Sequence, residues 1–380
     1  MYQDIADIVS IVKKNNSYIK SLQLELSKIY EIIKRFSATR GIIFGGNIAI
    51  KKLTDEELEL TDFMFHLYTT EIGSKPRELA NVIYDLSPIE YKYLSVETKI
   101  PNQLVFIHIK FKPIITFHQC PTFISTLEFN DEEFLSYDNF LVQIYEKLSS
   151  PVYIKEWPKL YKIEPIMRKK FVDTLETRSD ERQFHDRPIT LSRWKDFVIN
   201  NELIKVNNHT FIISKSYDEI TKQLHDWLKE HDISFQSSVD KVNHVFDNQI
   251  SCKKITFQEE NQPRLDIELF DLGTYELVPF EMRDSIKHAS LYTTLRIYLI
   301  NIWRYTRLKN LKMIPDKVCD REIERHKDYF IAGAKLVDGL GIDKLIPLNF
   351  SGTLIDKSAI IKRDLQMNQV RLPKYYPSIK

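Results

Sequence analysis

The stretch FGGNIAIKKL, Phe44 to Leu53, fixes one piece of local structure before any other part of the chain is read. The apolar run Ile42-Ile43-Phe44 feeds the Gly45-Gly46 pair, and an amphipathic segment follows. That order predicts a strand passing through a tight turn into a helix. The chain holds only 9 glycines, so an adjacent pair is uncommon at this composition. Two readings of the pair stand side by side. Backbone N–H groups next to glycine can approach a phosphate at a helix N-terminus, or the turn simply connects a strand to a helix.

With 380 residues the chain has material for about two domains, each with its own core. Basic and acidic residues nearly balance, 54 against 53, which excludes a uniformly basic nucleic-acid binder and confines any such surface to a local patch. Cys120, Cys252 and Cys319 lie far apart without metal-ligand spacing, so reduced thiols in an intracellular protein are expected. No apolar run is long enough to span a membrane, and MYQDIADIV carries acids where a signal peptide carries bases. The abundance of Lys, Ile, Asn and Tyr reads as the codon bias of an AT-rich genome.

In chain order, apolar spacing from Ile5 to Phe36 predicts two amphipathic helices interrupted at Asn15-Asn16-Ser17. A strand is expected from Phe63 to Tyr68, a helix from Pro76 to Tyr84, and strands at Leu104 to Phe111 and Ile114 to Phe117. Helical spacing returns from Phe134 to Leu148. Charged, aperiodic residues at 177–188 read as an exposed linker. Beyond it come a helix at Trp194 to Ile199, a strand at His209 to Ser214, and a helix announced by the Ser216/Glu219 capping box. KKITF, RLDIELF and YELVPF read as strands, and Ala289 to Arg307 as a buried helix. The second half thus repeats the first in outline, without a Gly-Gly turn.

GGNIAIKKL, FMFHLYTTEIGSKPRELA and FIHIKFKPIITFHQCP together resemble the poly(A) polymerases of large cytoplasmic DNA viruses. The likeness extends through LVQIYEKLSSP, EWPKLYKIE, YELVPF, LYTTLRIYLINIW and LPKYYP, and so covers most of the chain. It implies an α/β, two-domain nucleotidyltransferase-like fold of the polymerase β type, whose C-terminal domain reads as a degenerate copy. The implied domains are N-terminal helices at 1–40, a nucleotidyltransferase-like domain at 41–176, the linker at 177–188, and a similar, RNA-contacting domain at 189–380.

In such an enzyme the Gly-Gly turn precedes a strand bearing two carboxylates one residue apart, and a neighbouring strand bears a third. Spacing of two puts both side chains on one strand face, where they hold two Mg²⁺ ions against a triphosphate. Here the pair falls on Met64 and His66, and the third position falls around Thr116. None is a carboxylate, and no Asp or Glu occurs between Glu97 and Glu128. Thioether, imidazole and hydroxyl do not replace anionic oxygens around Mg²⁺. Glu57 and Glu59 have the required spacing and are the rescue candidates, with Asp62 a partial one, but the third carboxylate stays missing.

Asp266 and Glu268 repeat the spacing in the second half, where an alternating strand with its polar face in water is the expected arrangement. Basic residues gather at Lys13-Lys14, at Lys159 to Lys162, at Arg168, Lys169 and Lys170, and at Arg304, Arg307, Lys309 and Lys312. Trp303 and Tyr305 interleave the last group, a mixture suited to single-stranded RNA and equally to a solvated charged face.

The reading is a viral poly(A) polymerase homologue, a pseudoenzyme holding RNA or serving as a partner subunit in mRNA polyadenylation. Gly45 and Gly46 are its nucleotide-binding candidates, and no cofactor is expected. The resemblance implies a homodimer, or a heterodimer with an active poly(A) polymerase subunit, in the host cytoplasm, the virion or a viral factory. Two alternatives remain: an adenylyltransferase using Mg²⁺ and ATP through rearranged carboxylates, and an interaction protein unrelated to RNA.

Overall fold

A computed structural model describes residues 26–54, 65–120, 124–176, 189, 193–213, 217–231, 233–243, 249–258, 265–272, 277–341, 345–346, 349–351 and 374–378. The expected first helix, the linker at 177–188, Ser216, and the Glu57, Glu59, Asp62 and Met64 positions lie outside the described residues. The chain divides into two compact units, Met1–Leu135 with Gln369–Lys380, and Ser136–Asn368.

In the first unit, helix α1 over residues 26–40 buries Leu26, Ile29, Ile33 and Phe36, the apolar stripe read from the sequence. Strand β1 (Ile43–Gly45) runs into helix α2 (Gly46–Thr54), as the Gly-Gly turn predicts. Then come β2 (Phe65–Thr69) and α3 (Lys75–Leu86), which has Pro76 in its first turn and Leu79, Ala80 and Ile83 buried. β3 (Leu94–Ile100), β4 (Leu104–Ile109) and β5 (Lys112–Gln119) form a meander, followed by the hairpin β6 (Thr126–Phe129) and β7 (Glu132–Leu135).

The second unit starts with α4 (Tyr137–Leu148), preceded by Ser136 in extended backbone. Phe134 and Leu135 therefore close a strand, although their spacing predicts a helix. Next are α5 (Trp157–Glu176), α6 (Trp194–Asn200), β8 (Ile204–Lys205), β9 (Thr210–Ile213) and α7 (Tyr217–Glu230). β10 (Ser234–Asn243), β11 (Gln249–Gln258), β12 (Leu265–Asp271), β13 (Val278–Arg283) and β14 (Ile286–Ala289) complete most of its sheet. Helices α8 (Leu291–Asn310) and α9 (Asp316–Val337) follow, then β15 (Asn349–Ser351). The last described strand, β16 (Lys374–Tyr375), returns to the first unit and pairs with β3.

Helices α4 and α5, placed in the first domain by the sequence reading, belong to the second unit because α4 packs on α8 and α5 on α9. Tyr145 of α4 stacks on Tyr292 of α8, and Phe171 of α5 meets Phe330 of α9 edge-on. Cys120, Cys252 and Cys319 are buried, and none of them forms a disulfide among the described residues.

Among the described residues each unit has an eight-stranded sheet, ordered β16-β3-β4-β5-β2-β1-β7-β6 and β10-β11-β12-β9-β8-β14-β13-β15. Without β16 and β15, the two orders coincide strand for strand. The senses coincide too. β2 lies parallel to β5 as β9 does to β12, β1 parallel to β7 as β8 to β14, and the remaining equivalent neighbours are antiparallel. The repetition read dimly from the sequence is thus a topological duplication. Its break is at the turn: α2 follows β1, whereas β8 and β9 join through a tight connection in which Val206 N–H bonds Thr210 O at 2.9 Å.

Candidate functional site

Alternation along β2 and β5 sorts their side chains between two faces. Phe65, Leu67, Ile115 and Phe117 are buried on one side. On the other, parallel pairing sets His66 opposite Thr116 and Tyr68 opposite His118. β1 adds Gly45 opposite His66. The sequence-predicted positions His66 and Thr116 therefore share a face beside the Gly-Gly turn.

That face is filled with rings. His66 and His118 stack at 5.3 Å between centroids, and Tyr68 and His118 at 4.7 Å. His66 Nδ1 and His118 Nε2 stand 3.0 Å apart, so one imidazole N–H donates and the other nitrogen accepts. Burial, with the neighbouring His66, holds the His118 pKa down to about 3, so its ring is neutral around pH 7. His118 is a residue the sequence reading missed, although the alternation of ITFHQ already set it on the Thr116 face.

The rings also explain the glycines. A Cβ at Gly45 would come within 2.3 Å of Tyr68 Cε2, and one at Gly46 within 2.5 Å of His66 Cδ2. Gly46 has φ +65°, where any L side chain is disfavoured. Close packing and backbone conformation thus demand glycine here without any phosphate.

Divalent magnesium fits this face poorly. A hydrogen-bonded histidine pair, a tyrosine ring and a buried threonine offer none of the anionic oxygens Mg²⁺ takes. Among the described residues no group of three His, Cys, Asp or Glu is placed to hold a metal ion.

The corresponding face of the second unit differs from its expected solvated form, because α8 covers it. Glu268 is 2% exposed and accepts from Arg304 Nη1 at 2.8 Å, Tyr305 Oη at 2.8 Å and Asn301 Nδ2 at 3.1 Å. Asp266 accepts from Thr256 Oγ1 and pairs with Lys254 Nζ at 2.8 Å. Burial opposes ionisation of Glu268, but Arg304, His326 and Lys254 outweigh it and hold the carboxyl well below its ordinary range. These acids are neutralised by fixed cations, which leaves them unsuited to a divalent ion.

The same network takes up part of the expected RNA surface. Arg304 and Tyr305 are buried within it, and the Trp303 indole N–H donates to Asp138. Arg168 is also internal, donating to Glu164 at 2.7 Å, to Asp338 at 2.9 Å and to the Ala334 carbonyl at 3.1 Å. Lys169 is exposed, Lys170 and Arg307 are half-buried, and Lys309 Nζ bonds Asp320 at 2.5 Å. The helical spacing of Arg168 and Arg304 gave their turn of helix without showing that it faces inward.

No family model matches the chain. An uncharacterized protein of African swine fever virus, in isolates from South Africa and Namibia, is 23% identical over 430 residues, spanning 99% of this chain and 98% of its own length. The version in a Malawi isolate is 22% identical over 370 residues, spanning 84% and 86%. Among solved structures, the Megavirus polyadenylate synthase superposes with a TM-score of 0.64 at 13% identity, covering 97% of this chain and 85% of that one. The chain therefore has the two-domain nucleotidyltransferase-like fold of a viral polyadenylate synthase, and the relatives named here are viral.

Proposed function

We propose that this chain is a catalytically silent homologue of viral poly(A) polymerases that serves as a partner or RNA-holding subunit in viral mRNA polyadenylation. The observation that carries the reading is the ring face itself. In a fold shared with a polyadenylate synthase, His66, Tyr68, Thr116 and His118 occupy the strand face beside the Gly-Gly turn, where nucleotidyl transfer needs carboxylates. Two metal ions normally polarise the triphosphate and activate the attacking hydroxyl there, and imidazole, phenol and hydroxyl groups do not supply the anionic oxygens that Mg²⁺ takes. Retention of the fold over 97% of this chain and 85% of that neighbour supports a role that uses its shape, and a second polymerase subunit or a copy of this chain is the natural companion.

Two measurements on the purified chain test the reading together. Oligo(A) binding that weakens with salt is expected, alongside no elongation of an oligo(A) primer with ATP and Mg²⁺ or Mn²⁺. Robust elongation removes the silent-homologue reading. Absence of oligo(A) binding at low salt removes the RNA-holding role and favours an interaction protein unrelated to RNA.

A further inference from the structure

One end of the first sheet carries an aromatic and basic cluster separate from the ring face. Tyr91–Tyr93 form a single helical turn leading into β3, and Lys110-Phe111 make the two-residue turn between β4 and β5. β16 brings Lys374 and Tyr376 to the same end by pairing with β3. Lys110 N–H bonds Tyr93 O at 2.8 Å, which ties the turn to the entry of β3. Along β5, His118 stands six residues beyond Lys112, about 20 Å away at strand spacing.

Within the cluster, Phe111 meets Tyr93 edge-on at 5.9 Å and Tyr91 meets Tyr376 at 6.1 Å. Lys92 Nζ lies 4.9 Å from the centre of the Tyr93 ring, and Lys374 Nζ 5.7 Å from that of Tyr376. Phe111 is 76% exposed and Tyr376 44%. The Phe111 backbone is unusual as well. Lys110 and Phe111 have φ of 50° and 68°, a hairpin geometry that Asn and Gly accept and a bulky ring disfavours. A phenyl ring held in costly backbone and mostly in water contributes little to the core, so its use is at the surface.

We propose that this end of the sheet is a stacking platform for a single-stranded polynucleotide. Bases lie against Phe111, Tyr93 and Tyr376, and phosphates meet Lys92, Lys110, Lys112 and Lys374. Rings alternating with cations suit a strand whose bases stack and whose backbone is anionic. The Lys92–Glu90 pair, 2.8 Å apart and exposed on both sides, exchanges for a phosphate at small cost. The proposal rests on the RNA-holding reading and locates that contact in the first unit, away from the buried Arg168 and Arg304.

The test is fluorescence anisotropy of a labelled oligo(A) strand with the full chain, across a salt series. Phe111→Asn keeps a residue that tolerates the turn, so its thermal midpoint is expected to hold or rise while binding weakens about tenfold. Lys112→Gln is expected to make the salt dependence shallower by about 0.7 in log–log slope. Equal binding by wild type and both variants overturns the platform and leaves RNA holding intact. No binding by wild type at low salt overturns both. Loss of self-association in Phe111→Asn, measured by sedimentation with oligo(A) binding unchanged, overturns the platform in favour of a protein contact.

Discussion

The two sheets repeat one another, yet their equivalent faces have been resolved in opposite ways. In the first unit, Thr116 and His118 on β5 join His66 and Tyr68 on one face, with the His66 and Tyr68 rings packed against the glycines. In the second, the equivalent strand β12 carries Asp266 and Glu268, and α8 supplies Arg304, Asn301 and Tyr305 to neutralise them. Among the described residues, the first face has no carboxylate to offer a metal. The other has carboxylates already committed to cations. The same topology thus carries two different side-chain solutions, and only in the second does removing one partner leave a buried charge uncompensated.

The largest test of that contrast is Glu268→Gln, which leaves the Arg304 guanidinium buried without its counter-charge. A loss of about 3–5 kcal/mol in urea denaturation is expected. His66→Ala removes the ring stacking and the hydrogen bond to His118, and a loss of about 1–2 kcal/mol is expected. A larger loss at His66 than at Glu268 would reverse the assignment of roles. Replacing both Glu268 and Arg304 by leucine and methionine should recover much of the lost stability, since no orphaned charge remains.

Acid sharpens the comparison through two histidines held near pKa 3, His118 in the first unit and His326 in the second, both mainly by burial. Unfolding returns each to an ordinary value near 6.5, so the unfolded chain takes up the protons first. Their contribution is whole above about pH 6.5 and is lost as pH falls towards 3. Denaturation at steps from pH 7 to 4 is expected to show a stability slope of about 1.4 kcal/mol per pH unit for each ring. His118→Phe and His326→Phe should each remove their own share. An unchanged slope in either variant would place that ring in a protonatable setting.

A smaller effect comes from Gly46→Ala, at about 1–2 kcal/mol, from the left-handed backbone together with contact on His66. In a His66→Ala background the contact disappears and the backbone part stays. If Gly46→Ala costs the same in both backgrounds, the glycine is there for its φ alone.

Much of the first face was legible in the sequence. FGGNIAIKKL gave a strand, a tight turn and a helix, and alternation set His66 and Thr116 on a common side. His118 escaped because an imidazole lies outside the carboxylate pattern that the polymerase chemistry requires, although it stands two residues beyond Thr116 on the same face. The strands β6 and β7 escaped because four residues each are too short to display a period. Glu132 opens β7 yet is 3% exposed, since the Tyr30 hydroxyl donates to it at 2.8 Å. Glu268 marks the limit of periodicity most clearly: alternation shows which side chains share a face, and only tertiary packing shows that a helix lies over it.

Primer extension by the purified chain tests the central claim most directly, with oligo(A), ATP and either Mg²⁺ or Mn²⁺, beside Glu57→Gln and Glu59→Gln variants. The account predicts no product above the protein-free blank for all three proteins. Tails made by the wild type and abolished by either substitution would contradict it, and would place the metal site on the Glu57 and Glu59 pair.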